Sequence, residues 1–408
     1  MPSLPLLLLQ IAFILGACRV LTPVFARLGQ PAVMAEMTAG LLLGPSCFGW
    51  LAPDLSAFVF PDGSLPTLSL ISQVGLVLFM FLVGWRLDVG HLRSIGRVAF
   101  VTSLVSIIVP FSLGSSVAAV AWYRYAPRGV DALPFALFMG TAMSITAFPV
   151  LVRILMDRQM LTTAIGTLAV ACAAFNDAVG WLILAAITAI VRAGSLTDAG
   201  LPLLGLFLYA LVMVGIVRPF LTGFVRRKGG TFGKTPSDLA VMLVTILVSA
   251  YATDVLGVHA LFGAFFAGVI MPRAVDAERV FTDRIEPITT ALLLPLFFAS
   301  SGLRTSLPLI NDWALVGETV LILAVAVAGK GIGSAVAARA MGMTWADALQ
   351  IGILLNTRGL VELVVLNIGL DLGILSPVLF SMMVIMAFAT TFATSPLLSL
   401  VVRPRRTS

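Results

Sequence analysis

Almost the whole chain is apolar sequence, cut at charged or Pro/Gly-rich junctions into stretches about as long as a bilayer is thick. This pattern leaves little freedom of fold. A helix crossing the hydrocarbon core needs about 20 apolar residues, and in lipid every backbone polar group must be satisfied internally. Thirteen segments result, over roughly 3–24, 30–50, 66–86, 96–122, 132–156, 161–191, 200–222, 238–253, 256–272, 286–303, 312–340, 346–370 and 375–402. With 60% hydrophobic and 11% charged residues among 408, the composition is far from the roughly 25% charged of soluble domains. The expected fold class is an all-α polytopic membrane protein with about 13 transmembrane helices.

The net charge of +6 does not indicate nucleic acid, because the basic residues lie between apolar spans and form no soluble patch. They read as topology signals. With the N-terminus outside, Arg19, Arg27, Arg86, Arg93, Arg97, Arg153, Arg158, Arg218, Arg226, Arg227, Lys228, Lys234, Arg273, Arg279, Arg284, Arg339, Arg403, Arg405 and Arg406 fall at cytoplasmic ends. Only Arg124, Arg128, Arg192 and Arg304 fall outside, so a multi-pass cell-membrane protein with an outer N-terminus and a cytoplasmic C-terminus is expected. Cys18, Cys47 and Cys172 are odd in number and have no metal-binding spacing, and they read as packing residues. The box Leu15-Gly16-Ala17-Cys18 lacks the basic stretch that precedes a signal peptide's apolar run, so no cleavage is expected.

Against this apolar background, titratable groups inside the spans stand out. Asn176 and Asp177 lie in LAVACAAFNDAVGWLILAAITAI, and Glu36, Lys330, Arg358 and Glu362 also fall within apolar segments. One ionised side chain at mid-membrane costs roughly 2.5–3.5 kcal/mol on the translocon scale, so such residues pair, hydrate or carry ions. Asp177 is the leading functional candidate. Glu36 reads as a structural charge near a helix end, and Trp50, Trp85, Trp122 and Trp313 as interfacial anchors.

The chain also repeats itself weakly. MAEMTAGLLLGP (34–45) reads against LFGAFFAGVIMP (261–272), FLVGWRLD (81–88) against FASSGLRT (298–305), and the polar interruption at Ser144 against that at Asn356, all at similar offsets. The offset spans seven segments, an odd number, so the second copy is inverted. This gives two five-helix repeats, about 29–191 and 256–402, joined by connecting helices at about 200–253, in a single transmembrane domain. Each match alone is also what small-residue helix packing produces.

Inverted repeats predict discontinuous helices at corresponding places. In TAMSITAFPVLVRIL, Pro149 removes a donor and disfavours helix at Phe148, so a break is expected around Ser144-Ile145-Thr146. In NTRGLVELVVLNIG, the polar run Asn356 to Gly359 marks a second break, with Glu362 one turn beyond Arg358. Open helix ends carry about half an elementary charge and need compensation in lipid. Thr146 either bonds back to its own helix or lies beside an ion path. Arg358 and Glu362, at i,i+4, are expected to neutralise one another.

The strings GQPAVMAEMTAGLLLGPS, TAMSITAFPVLVRIL, FNDAVGW, GVHALFGAFFAG, IEPITTALLLPLFFASSGL and NTRGLVELVVLNIGLDLGILSPVLFSMMV resemble the monovalent cation:proton antiporter family 2, above all its plant cation/H⁺ exchanger branch. The resemblance runs from about residue 29 to 397. It implies the NapA/NhaA-like fold with a six-helix core moving against a dimerisation domain, a homodimer, K⁺ or Na⁺ and H⁺ as the transported ions, Asp177 as the shared carrier, and Lys330 as the lysine packed near it. Where electrogenic relatives have Asp-Asp this chain has Asn176-Asp177, which points to one-for-one electroneutral exchange unless Lys330 itself releases a proton. The family's plant and glutathione-gated members carry large soluble regulatory tails, whereas this sequence stops at Ser408, just after Arg403-Pro404-Arg405-Arg406, so no soluble regulatory domain and no nucleotide gating are expected within it.

The chemistry expected is competition for one site. Burial disfavours the charged form of Asp177 and a neighbouring ammonium favours it. The ionised carboxylate, with Asn176, Ser144 and Thr146 oxygens, would replace part of a cation's hydration shell, and protonation would expel the cation. No cofactor is expected, since Gly329-Lys330-Gly331-Ile332-Gly333 lacks the first glycine of a phosphate loop. An enzyme is disfavoured because neither His91 nor His259 lies where it can activate a buried nucleophile and no second intramembrane Asp is present. An ion channel and a sodium-coupled organic-anion symporter of the same fold are the alternatives.

Overall fold

Every regular element in the computed structural model is a helix among the described residues, which are 3–61, 63–86, 96–193, 200–228, 235–272 and 283–401. Arg93, Lys234, Arg273, Arg279, Arg403, Arg405, Arg406 and His91, used above for topology or excluded as catalysts, lie outside them. In chain order the main helices are α1 (Leu4–Arg27), α2 (Ala32–Leu51, followed by the short helix Pro53–Val59), α3 (Leu65–Arg86), α4 (Arg97–Tyr125), α5 (Ala132–Ser144), α6 (Phe148–Asp157), α7 (Ala164–Ala193), α8 (Leu204–Arg227), α9 (Pro236–Val255), α10 (Ala260–Ile270), α11 (Glu286–Leu309), α12 (Trp313–Ala340), α13 (Trp345–Leu355), α14 (Leu360–Asp371) and α15 (Pro377–Val401). Ten helices among the described residues are long and apolar enough to cross a membrane, while α5, α10 and α13 are shorter apolar helices.

Local sequence explains where the helices start. Thr235 and Asp238 form a reciprocal capping box at α9, and Asp312 and Thr344 accept from the first-turn amides of α12 and α13. Each cap satisfies a donor that the helix itself leaves open. Three spans carry π-helical stretches, Met213–Val217, Thr289–Leu293 and Val327–Ile332. The last contains Lys330.

Contacts divide the chain into two units. One gathers α3, α8, α9, α10 and the start of α11; the other holds α2, α4 to α6, most of α7 and α12 to α15. In the first unit Gly84 of α3 and Gly268 of α10 approach so closely that a methyl group on either would overlap the other helix's backbone. In the second, Gly40 of α2 and Gly302 of α11 do the same. The matching sequence strings thus do serve helix packing, as small residues do in membranes. Trp85 corrects one expectation: it is 7% exposed and tilted against Phe81 (centroids 5.5 Å), so its ring is packed inside the protein and is not an interfacial anchor. Trp50 and Trp313 are 77% and 88% exposed, in keeping with anchors.

Candidate functional site

Both sequence-marked interruptions are real breaks. Helix α5 ends at Ser144, residues 145–147 run extended, and α6 starts at Phe148 with Pro149 in its first turn, where the missing amide costs nothing. Helix α13 ends at Leu355 and α14 begins at Leu360, with Gly359 between them at φ 128° and ψ −114°. That backbone region is essentially reserved for glycine, so Gly359 is what lets the chain leave one half-helix and enter the next.

The two breaks hold each other. The Ala147 amide donates to the Thr357 carbonyl (3.1 Å), and Thr146 Oγ1 donates to the Leu355 carbonyl at the open end of α13 (3.3 Å). Two cations meet the open end of α5. Arg358 donates from Nη2 to the Met143 carbonyl (2.7 Å) and from Nη1 to the Ala142 carbonyl (3.3 Å), and Lys330 Nζ donates to the Ser144 carbonyl. The partial negative charge of that helix end therefore faces the cationic side chains of Arg358 and Lys330 directly. Arg358 also pairs with Glu362 at 3.0 Å, with both side chains fully buried.

Helix α7 brings Asn176 and Asp177 to this crossing at 1% and 2% exposure. The Phe148 amide, at the positive end of α6, faces the Asp177 carboxylate, and neither carboxylate oxygen completes a hydrogen bond. Asn176 Nδ2 donates to Ser106 Oγ (2.8 Å) and Thr146 Oγ1 (3.1 Å), which leaves its Oδ1 buried without a partner. Three unpartnered oxygens on adjacent residues suit a desolvated cation, and an ionised carboxylate among them also suits a proton.

The remaining expected residues fall as follows. Ser144 Oγ bonds back to the Thr141 carbonyl (2.9 Å), so its main chain, through Lys330, is what reaches the site. Thr146 bonds across to α13 and accepts from Asn176, and does not bond back to its own helix. Lys330 rests on main-chain carbonyls, of Ser106 (3.1 Å) and Ser144, and acts on Asp177 through space. Gly329 packs on Pro110 and Gly331 against Gly352, so the glycines flanking Lys330 serve close packing. Glu36, on α2, is faced by Arg19 of α1 and lies apart from this constellation. Sequence reading missed Ser106. Its one available signal was the spacing Ser106-x-x-x-Pro110 within an apolar span.

Residues 11–403 match the model of the sodium/hydrogen exchanger transmembrane family. The chain is 41% identical to the Na⁺/H⁺ antiporter NhaS4 of Synechocystis over 97% of each chain. It is 37% identical to cation/H⁺ antiporter 19 of Arabidopsis thaliana and 34% identical to K⁺/H⁺ antiporter 1 of Saccharomyces cerevisiae, spanning about half the length of each (50% and 46%). In three dimensions it resembles the sodium proton antiporter MjNhaP1 of Methanocaldococcus jannaschii, with a TM-score of 0.69 over 95% of this chain and 94% of that one at 12% identity, a likeness of fold. Broken crossing helices, a buried unpaired carboxylate and a match along nearly its whole length place this chain in the sodium/hydrogen exchanger transmembrane family.

Proposed function

We propose that this transporter exchanges a monovalent cation, K⁺ or Na⁺, for a proton across the cell membrane, with Asp177 binding the two ions alternately. The observation that carries this reading is the Asp177 carboxylate, 2% exposed with both oxygens unpartnered where two broken helices meet. A cation bound there is coordinated by Asp177 and Asn176 Oδ1. A proton on Asp177 removes the charge that holds the cation, so the two compete and their flows couple when the site opens to alternate sides.

Charge accounting supports one-for-one exchange. Arg358 and Glu362 neutralise each other at 3.0 Å, and Lys330 balances an ionised Asp177 without touching it. Adding either a cation or a proton gives the same net charge, so both half-cycles carry the same charge. Inverted repeats over about 29–191 and 256–402 agree with the packing, because α2 of the first half closes on α11 of the second at Gly40 and Gly302, and α10 of the second closes on α3 of the first at Gly84 and Gly268. The reading includes thirteen spans, an outer N-terminus, a cytoplasmic C-terminus and a homodimer.

Proteoliposomes containing a pH dye test the function directly. Addition of K⁺ or Na⁺ should release lumenal protons, and vesicles that stay silent to both would refute it. Asn176→Asp supplies a further expected result. A second acid adds a proton-binding group, so exchange should become sensitive to a potential imposed without valinomycin, whereas wild-type rates should be nearly indifferent to it. Strong voltage dependence in the wild type would contradict the electroneutral account.

A further inference from the structure

Ser106 touches both neighbours of Asp177 without touching the carboxylate. Its hydroxyl accepts from Asn176 Nδ2 (2.8 Å) and donates to the Ser103 carbonyl (2.8 Å), and its carbonyl accepts from Lys330 Nζ (3.1 Å). A serine hydroxyl has one proton. Ser106 spends it on Ser103, and Thr146 spends its own on the Leu355 carbonyl (3.3 Å). Toward Asn176 both hydroxyls are therefore acceptors, and the amide must present its NH₂ to them. This proton accounting turns Asn176 Oδ1 away from both and leaves it free.

The carbonyl has a different cause. In a helix the Ser106 oxygen would accept from the amide four residues on, and that residue is Pro110, inside α4, which has no N–H. The oxygen is thus open to Lys330. Gly329 lies directly against Pro110, so the lysine-bearing π-helical turn is held at the place where the carbonyl is exposed.

We infer that Ser106 is a positioning residue for the ion site: its hydroxyl fixes the Asn176 amide so that an oxygen is offered to the cation, and its carbonyl, freed by Pro110, holds the Lys330 ammonium off the Asp177 carboxylate. The inference rests on the proposed role of Asp177 and adds the determinants of its two neighbours. Without the hydroxyl, one of two contacts fixing the amide is gone, and a half-turn about its terminal torsion presents Nδ2 donors to the cation. With a donor restored at position 110, the carbonyl is shared and Lys330 loses an anchor.

The test uses the whole protein in detergent and follows the rise in melting temperature on adding Na⁺ or K⁺, a binding readout that needs no transport. Ser106→Ala should raise the half-maximal cation concentration about tenfold, or about 1.4 kcal/mol, at an unchanged cation-free melting temperature, and Ser106→Thr should recover most of it. Pro110→Ala should leave that concentration within twofold of wild type but displace the pH dependence of binding. Should Ser106→Ala fail to fold, Ser106→Cys, which keeps the size with a weak acceptor, takes its place. A half-maximal concentration within twofold of wild type for the hydroxyl-deleted variant, or an unmoved pH dependence for Pro110→Ala, overturns the inference. Loss of cation stabilisation in Asp177→Asn shows that the underlying reading still holds in that event, and its persistence shows that the reading itself has failed.

Discussion

Asp177→Asn should reduce cation-driven proton movement to the background of protein-free vesicles while the protein folds normally. The substitution keeps side-chain size and removes the titrating group. The residue is 2% exposed and no side chain bonds its carboxylate oxygens, and the amide oxygen of Asn can still face the Phe148 amide. A neutral amide also costs less than a carboxylate at membrane depth. The gain from removing a buried carboxylate is offset by the loss of the charge that balances Lys330, so the melting temperature in detergent should stay close to that of the wild type, which separates loss of function from loss of fold. Vesicles containing this variant that still release protons on addition of K⁺ or Na⁺ would mean that another group carries the proton. Glu362 is the other buried carboxylate at the crossing, but its Oε1 is held by Arg358.

Much of this site is legible in the sequence because membranes amplify local signals. A proline or a polar run in a soluble helix is commonplace. In an apolar span Pro149 and the string Asn356 to Gly359 each demand a break, and both breaks are present. Asp177 is legible for the same reason, since a carboxylate in hydrocarbon calls for a cause. What could not be read are partners distant in sequence. Lys330 meets the Ser106 carbonyl across 224 residues, and Arg358 meets Met143 across 215. Pairing by i,i+4 spacing found Glu362 but could not foresee that the same guanidinium closes another helix. Pro110 read alone is only a tolerated kink in a long span; its consequence depends on which cation the fold brings to the freed carbonyl. Trp85 failed as an anchor because position near a segment end does not reveal which side of the helix another helix covers.

Arg358→Gln should be the most destabilising single substitution at the crossing. The guanidinium is fully buried and meets three acceptors on two elements, Glu362 Oε1 and the carbonyls of Ala142 and Met143. A planar fork reaches all three at once, which a shorter amide cannot do. Its loss leaves the Glu362 carboxylate buried without its counter-ion and the open end of α5 without one of its two cations. Removing one partner of a buried pair costs about 3–5 kcal/mol, and the effect should appear as a markedly lower melting temperature. The double variant Arg358→Gln with Glu362→Gln should recover part of that loss, because it removes the orphaned charge but not the uncapped carbonyls. Lys330→Gln is expected to differ in kind: with the ammonium gone, the through-space field at Asp177 changes and the pH profile of exchange moves, while a polar amide keeps some contact with the carbonyls. Melting in detergent beside pH-dependent exchange in liposomes distinguishes the two roles. They are misassigned if Arg358→Gln melts like the wild type with a displaced pH profile and Lys330→Gln melts early with an unchanged one.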